Sequence, residues 1–224
     1  MNVLADEGGM DSLRALGARS VPIVSRGNDF VYAQVIKDVV DFLDLSDDTK
    51  PDLSAPALAE RYLEVIDKAI ALVRQMPDEA LERELPNRPR SWRVLMHHVF
   101  QIPCAFLNAE ESGQPLSYED LLAPPPDEMV TADAIASFGE ATRERFKSWW
   151  RDNAETAFDV AVDTYFGETT RHELLERTVW HSTQHVRQVA SLVEQVGLVP
   201  VAPIDAEDVA GLPLTDKVWD EAPA

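Results

Sequence analysis

The stretch that most constrains this chain is a long amphipathic pattern at residues 170–196. Apolar residues recur there at the three- and four-residue spacing of an α-helix. They are Leu174, Leu175, Val179, Val186, Val189, Leu192, Val193 and Val196. Thr170, with Glu173 three residues later, predicts a capping box at the start of the helix, and Gly197 predicts its end. A helix with one long apolar face must pack against other helices or a sheet, so this stretch predicts the central element of a larger fold.

Two histidines, His181 and His185, lie inside this predicted helix. Residues four apart stand one above the other on the same helical face. That spacing allows two imidazoles to reach one metal ion. It also occurs in pairs of solvated or hydrogen-bonded histidines, so the pair by itself leaves both interpretations open.

Three earlier stretches share the helical period, at about residues 57–76, 92–111 and 132–152. Proline-rich and glycine-containing segments separate them. Pro103 lies inside the second stretch and predicts a kink or a loosened turn there. Four long helices with such connections predict a mainly α protein built as a four-helix bundle, a fold whose inward positions commonly form metal sites.

The second of these helices supplies a third histidine. His98 shares a face with apolar residues such as Leu95, whereas His97 lies on a more polar face, so we expect His98 to point inward and His97 towards the bundle edge. A buried imidazole must be hydrogen-bonded or ligated. One inward histidine is usually a satisfied core residue, but its combination with His181 and His185 favours a metal-ligand role.

Composition and charge exclude several classes of partner. The formal net charge of the 224 residues is −20, which disfavours binding to a nucleic-acid backbone or to an acidic membrane surface. Cys104 is the single cysteine, so an intramolecular disulfide cannot form. Neither a signal peptide nor an apolar run of membrane-spanning length is visible. We therefore predict a soluble cytoplasmic protein.

Residues 1–45 have a different character from the rest of the chain, and an acidic, proline-containing linker at residues 46–56 follows them. Two apolar runs around a Gly-Asn-Asp turn predict a β-hairpin between two short helices, and the end of a further strand is expected at residues 2–6. The predicted order is helix (11–16), strand (20–24), strand (30–32) and helix (34–45).

This N-terminal order, with Gly17, the run Ser20-Val21-Pro22-Ile23-Val24 and Gly27, resembles the C-terminal half of a glutaredoxin, a thioredoxin-like fold. The resemblance implies a cis bond before Pro22 and backbone contacts from Val21 to glutathione. A complete glutaredoxin begins with a strand and a Cys-x-x-Cys or Cys-x-x-Ser helix, but no cysteine precedes Cys104 here. We therefore predict that residues 1–45 are an incomplete, relic segment that packs against the main domain, rather than a working glutathione site. We also expect a longer form whose upstream sequence supplies the missing strand and cysteine.

The histidine pattern, together with the helix order, is similar to the DinB-like family of bacterial metal-binding bundles. That family carries one histidine on its second helix and an H-x3-H pair on its fourth, and the matching residues here are His98, His181 and His185. The resemblance covers most of the chain and predicts the bundle at residues 57–198. The remaining residues, 199–224, form an acidic tail whose few apolar residues predict partial docking.

The chemistry expected of such a site follows from its ligands. Three neutral imidazoles leave a zinc-like ion with one open position, which is typical of catalytic sites. Zinc is our first expectation, while nickel, iron and manganese also suit imidazole ligands. The family resemblance implies a transferase or isomerase that depends on a small thiol, and the glutaredoxin-like segment implies glutathione as that co-substrate.

We therefore predict a metal-dependent, glutathione-using transferase or isomerase that acts on a small electrophile. One alternative is a metal-dependent hydrolase of amide or ester bonds, and another is a non-catalytic metal-binding module that serves stress or partner binding. Arg187, Trp180 and Tyr165 are the candidate substrate-binding residues, although aromatic residues at such spacings are more often part of a core. The sequence leaves the oligomeric state open, with a homodimer as one option.

Overall fold

The computed structural model of the protein divides into two compact units, residues 1–50 with 221–224 and residues 51–220. The residues that it describes are 6–18, 21–33, 35–46, 49–85 and 90–219. The strand expected at residues 2–6 falls almost wholly outside them. No helix among the described residues is both long and apolar enough to cross a membrane.

The first unit contains the helix, strand, strand, helix order that the sequence predicts. Its elements are α1 (Gly9–Ala15), β1 (Ile23–Arg26), β2 (Asp29–Tyr32) and α2 (Ile36–Phe42). The two strands pair antiparallel, with Ile23 opposite Tyr32, and Gly27 turns between them with a positive φ of 68°. The peptide bond before Pro22 is cis and Val21 is exposed. A small α/β segment is thus confirmed, whereas its relationship to glutaredoxins stays a prediction.

The second unit contains the four long helices expected from the periodicity. They are α3 (Ala55–Gln75), α4 (Trp92–Ser112), α6 (Ala132–Asn153) and α7 (Arg171–Gln195), with the short α5 (Tyr118–Leu121) between α4 and α6. A hairpin of β3 (Ala161–Thr164) and β4 (Gly167–Thr170) precedes α7, and α8 (Ala206–Val209) follows it. The mainly α fold is confirmed.

Each long helix begins at a side chain that caps it. Ser54, Ser91, Thr131 and Thr170 accept a hydrogen bond from the backbone N–H three residues later. These bonds satisfy N–H groups that have no partner within the helix. The Glu173 carboxylate in turn accepts a hydrogen bond from the backbone N–H of Thr170, which completes the predicted capping box.

The helices pack so that α3 and α4 each lie against both α6 and α7. The largest wholly buried side chains, among them Tyr62, Phe100, Phe106 and Phe146, fill the space between them. Gly139 lets α6 approach α4 closely, because a Cβ at this position would lie 2.6 Å from the Phe100 ring. The core therefore depends on aromatic side chains facing small ones.

The residues after α7 return along the bundle. Asp208, whose side chain is buried, pairs with Lys68 of α3, and Arg61 donates to the Asp208 carbonyl oxygen at 2.7 Å. Leu212 is buried in the same core as the helices. Residues 215–219, which we call the C-terminal strap, then run beside α7 and accept or donate hydrogen bonds along its surface.

Candidate metal centre

The structure brings His98 of α4 together with His181 and His185 of α7. One ring nitrogen from each histidine lies within 4.8 Å of the others. The ring centroids are separated by 5.4 Å for His98 and His181, 5.1 Å for His98 and His185, and 5.0 Å for the α7 pair. Within residues 6–18, 21–33, 35–46, 49–85 and 90–219, no cysteine, aspartate, glutamate or further histidine joins this group.

The two helices are tied to each other beside the three histidines. Ser182, which follows His181, donates its hydroxyl to the Val99 carbonyl oxygen at 3.3 Å, and Val99 follows His98. The Tyr62 hydroxyl of α3 lies 2.8 Å from the same Ser182 oxygen. Because all three partners are buried, these hydrogen bonds fix the relative register of the helices that carry the histidines.

The surroundings favour neutral imidazoles. Burial is the main cause that lowers the pKa of His98, to about 2, and that of His181, well below its ordinary value. His185 and the positive charge of Arg90 act on both in the same direction, and Arg177 adds to the effect on His181. A metal ion binds the neutral imidazole, so the site offers its nitrogens in the state that ligation needs.

The donor set therefore fits a divalent cation. Three imidazole rings converge from two helices, and imidazole nitrogens are ligands that zinc and similar divalent cations accept. His98 and His185 are buried and His181 is only partly exposed, so the three imidazoles form a mostly buried group. The three histidines predicted from spacing are thus together in space and could hold a metal ion.

His185 has a polar neighbour that the sequence analysis missed. Its Nδ1 lies 2.7 Å from the Gln188 side-chain oxygen, one helical turn further along α7. The signal was present in the sequence, because residues at i and i+3 share a helical face. Such outer contacts orient metal-ligating histidines in many proteins.

Arg177, one helical turn before His181, is a second residue near the site that sequence reasoning did not identify. Trp180 and Tyr165, the aromatic residues predicted to bind substrate, lie next to it. The Arg177 guanidinium is 4.6 Å from the Phe166 ring centroid and 5.5 Å from that of Trp180. Trp180 in turn lies 5.7 Å from the His181 ring. Arg177 also donates to the Tyr165 hydroxyl at 3.4 Å. The aromatic residues thus enclose a cation next to the histidines.

Arg187 has a different environment from the one expected for a substrate ligand. Its guanidinium donates to the Gln184 side-chain oxygen at 2.9 Å and to the carbonyl oxygens of Thr215 and Asp216 at 2.7 and 2.8 Å. These contacts attach the C-terminal strap to α7. A role for Arg187 in substrate binding stays a prediction, and the strap alone accounts for its position.

The other two described histidines are separate from this group. His97 was expected at the bundle edge, but it is buried, stacks on Phe138 with a centroid distance of 5.0 Å, and has no hydrogen-bond partner at Nδ1. Burial, with a contribution from Arg93, lowers its pKa to about 4. His172 lies 2.8 Å from the Leu53 carbonyl oxygen.

Comparison with known families agrees with this geometry. A family model described as the DinB family matches residues 53–210, which include all four long helices and the three histidines. No curated protein matches the chain in a sequence comparison. The matched range begins at residue 53, after residues 1–50 of the first unit, so the family match concerns the second unit alone.

Proposed function

The chain belongs to the DinB family, and from this premise we propose that it is a metal-dependent transferase or isomerase that joins a small thiol to an electrophilic substrate. Glutathione is the thiol that we propose. The observation that carries the proposal is the convergence of His98, His181 and His185 without a fourth protein ligand among the described residues. Structural metal sites usually have four protein ligands, so three ligands favour a site with a position for water or substrate.

A divalent cation bound by the three histidines would lower the pKa of a coordinated thiol or water. The protein residues then have three tasks. His98, His181 and His185 would supply the three ligands from a largely buried position. Arg177 places a positive charge beside His181, which favours anionic groups at this point of a protein with net charge −20. Trp180 offers an aromatic surface to the substrate.

The proposed reaction is nucleophilic. The thiol sulfur, having lost its proton to solvent, forms a bond to an electrophilic carbon of the substrate. In a transferase the bond between that carbon and the leaving group breaks, and the leaving group departs with its electron pair. In an isomerase the sulfur adds to an unsaturated carbon, whose π electron pair moves to the neighbouring atom, and later cleavage of the new sulfur–carbon bond restores the double bond and releases the thiolate. Arg177 would balance negative charge on the thiol or substrate during this step.

The proposal is tested with protein loaded with zinc or cobalt and assayed on a panel of electrophiles, with and without glutathione. We expect a glutathione-dependent rate that chelation and His185→Ala both abolish, and a change in the cobalt absorption bands on adding glutathione. His97→Leu is the matched control, because it removes a buried histidine outside the metal group. Unchanged cobalt bands and no faster electrophile would reject the thiol reaction, and turnover of amides or esters without thiol would identify a hydrolase instead.

A further inference from the structure

A continuous chain of hydrogen bonds runs from the C-terminal strap to His185. The backbone carbonyl of Val218 accepts from the Gln188 side-chain nitrogen at 3.0 Å, and the oxygen of the same side chain lies 2.7 Å from His185 Nδ1. Gln188 thus contacts both the strap and this histidine through its amide. Each end of its amide has a defined partner.

The chemistry of these groups fixes where the protons lie. A backbone carbonyl only accepts, so the amide nitrogen of Gln188 must face Val218. The amide oxygen then faces His185, and because it can only accept, Nδ1 of His185 must carry the ring proton. Nε2 of the neutral ring is left with its lone pair, which is the form that can bind a metal through that atom.

We propose that Gln188, whose amide is oriented by the Val218 carbonyl oxygen of the C-terminal strap, positions His185 by holding its ring in the Nδ1–H tautomer with Nε2 directed to the metal. This inference rests on the metal role of His185 in the proposed function. It adds that the backbone carbonyl of Val218, 33 residues after His185, fixes the orientation of the Gln188 amide that contacts this ligand. Gln188 is therefore a positioning residue.

The structure contains a matched control for this role. Gln184 donates its side-chain nitrogen to the same Val218 carbonyl oxygen at 2.8 Å and to that of Lys217 at 3.1 Å. Its oxygen accepts from Arg187, so its amide engages the strap and not a histidine ring. Loss of Gln184 therefore weakens the strap without removing the hydrogen bond to His185.

The experiment measures the histidine tautomers directly in metal-free protein. Long-range proton–nitrogen NMR spectra of ¹⁵N-histidine-labelled protein at alkaline pH show which ring nitrogen carries the proton, and His185→Ala assigns the signals. We expect the Nδ1–H tautomer at His185 in the wild type and in Gln184→Ala. Gln188→Glu should retain it, since a carboxylate also accepts from Nδ1, whereas Gln188→Leu should shift His185 towards Nε2–H.

Zinc affinity, measured by chelator competition, provides the second readout. Gln188→Leu should weaken zinc binding by about 10- to 100-fold, while Gln188→Glu and Gln184→Ala stay close to the wild type. An unchanged His185 tautomer in Gln188→Leu, or an equal shift in Gln184→Ala, would overturn the positioning role. If the wild type bound no metal, the proposed function would fail, but the tautomer measurement would still decide this inference.

Discussion

Ser182 donates its hydroxyl hydrogen bond to the Val99 carbonyl oxygen, which is the carbonyl that Pro103 leaves without its helical donor. Proline has no N–H, so residue 103 cannot bond to the residue four positions before it. The helix α4 nevertheless continues from Trp92 to Ser112. A hydrogen bond between helices thus replaces one within a helix, directly beside the histidine group.

This relationship predicts that the cost of Ser182→Ala depends on residue 103. In the wild type the substitution leaves the buried Val99 carbonyl without that partner, and we expect a loss of about 1–3 kcal/mol in the free energy of unfolding. In a Pro103→Ala background the restored N–H can bond to Val99, so the loss should be smaller. A double-mutant cycle by urea denaturation measures the difference.

The Tyr62 hydroxyl loses Ser182 in both backgrounds, so its contribution cancels in the cycle. Equal costs of Ser182→Ala with and without Pro103 would show that the two residues are not coupled through the Val99 carbonyl.

The neighbouring histidines of α4 should differ sharply in metal binding. We expect His98→Ala to abolish stoichiometric binding of zinc or cobalt, since it removes one of three ligands, whereas His97→Leu should leave the affinity near the wild type. His97 Nδ1 is buried without a partner, so Leu should also cost little stability. Calorimetric titration of both variants checks this, and equal losses would contradict the ligand assignment.

The helices and the histidine group were predictable because their signals are local. The capping box of Thr170 and Glu173, the apolar period of α7 and the four-residue spacing of His181 and His185 all lie within a few turns of chain. The inward position of His98 needed only the assumption that the apolar face of α4 meets the bundle. Packing between periodic helices then brings the three rings together.

The burial of His97, in contrast, could not be predicted from the sequence. Its face looks polar because it includes Gln101 and Asn108, yet both donate hydrogen bonds to Asp120 at the end of α5, at 2.7 and 2.8 Å. Phe138 of α6 covers His97 itself. Polar residues that are satisfied by a distant element look solvent-exposed on a helical wheel, and only the tertiary fold distinguishes the two cases.

The contacts of Arg187 could not be predicted from the sequence for a related reason. A guanidinium near a predicted site suggests a carboxylate ligand, but this one donates to carbonyl oxygens of Thr215 and Asp216, 28 and 29 residues away. Backbone carbonyls carry no signature in the sequence. The return of the strap along α7, and with it the link through Gln188, required the structure.

Removing one partner of a buried ion pair at the start of α7 should be strongly destabilising. Arg171 donates from Nε to the Glu110 carboxylate of α4 at 2.8 Å, and both side chains are largely buried. Arg171→Met should lower the free energy of unfolding by about 3–5 kcal/mol, because Glu110 keeps a buried charge without its cationic partner, and the remaining hydrogen bond from Trp149 Nε1 does not neutralise that charge. Denaturation by guanidinium chloride measures this change in the free energy of unfolding. Arg151→Met, at an exposed pair on α6, should change stability little, and a similar loss there would contradict the argument.

Glu176 should make the stability of the protein depend on pH. Burial raises its pKa from 4.5 to about 7, and the carboxylates of Asp52 and Glu173 add to the effect. Between pH 4.5 and about pH 7 the Glu176 carboxyl is ionised in the unfolded chain but still protonated in the folded protein. The free energy of unfolding therefore falls as the pH rises through this range, and it stays lower above about pH 7. Glu176→Gln should therefore match the wild type in melting temperature near pH 4 and exceed it near pH 8. Glu194→Gln, which removes an exposed carboxylate of the same helix, is the charge-matched control. A difference between Glu176→Gln and the wild type that does not vary with pH would contradict the raised pKa.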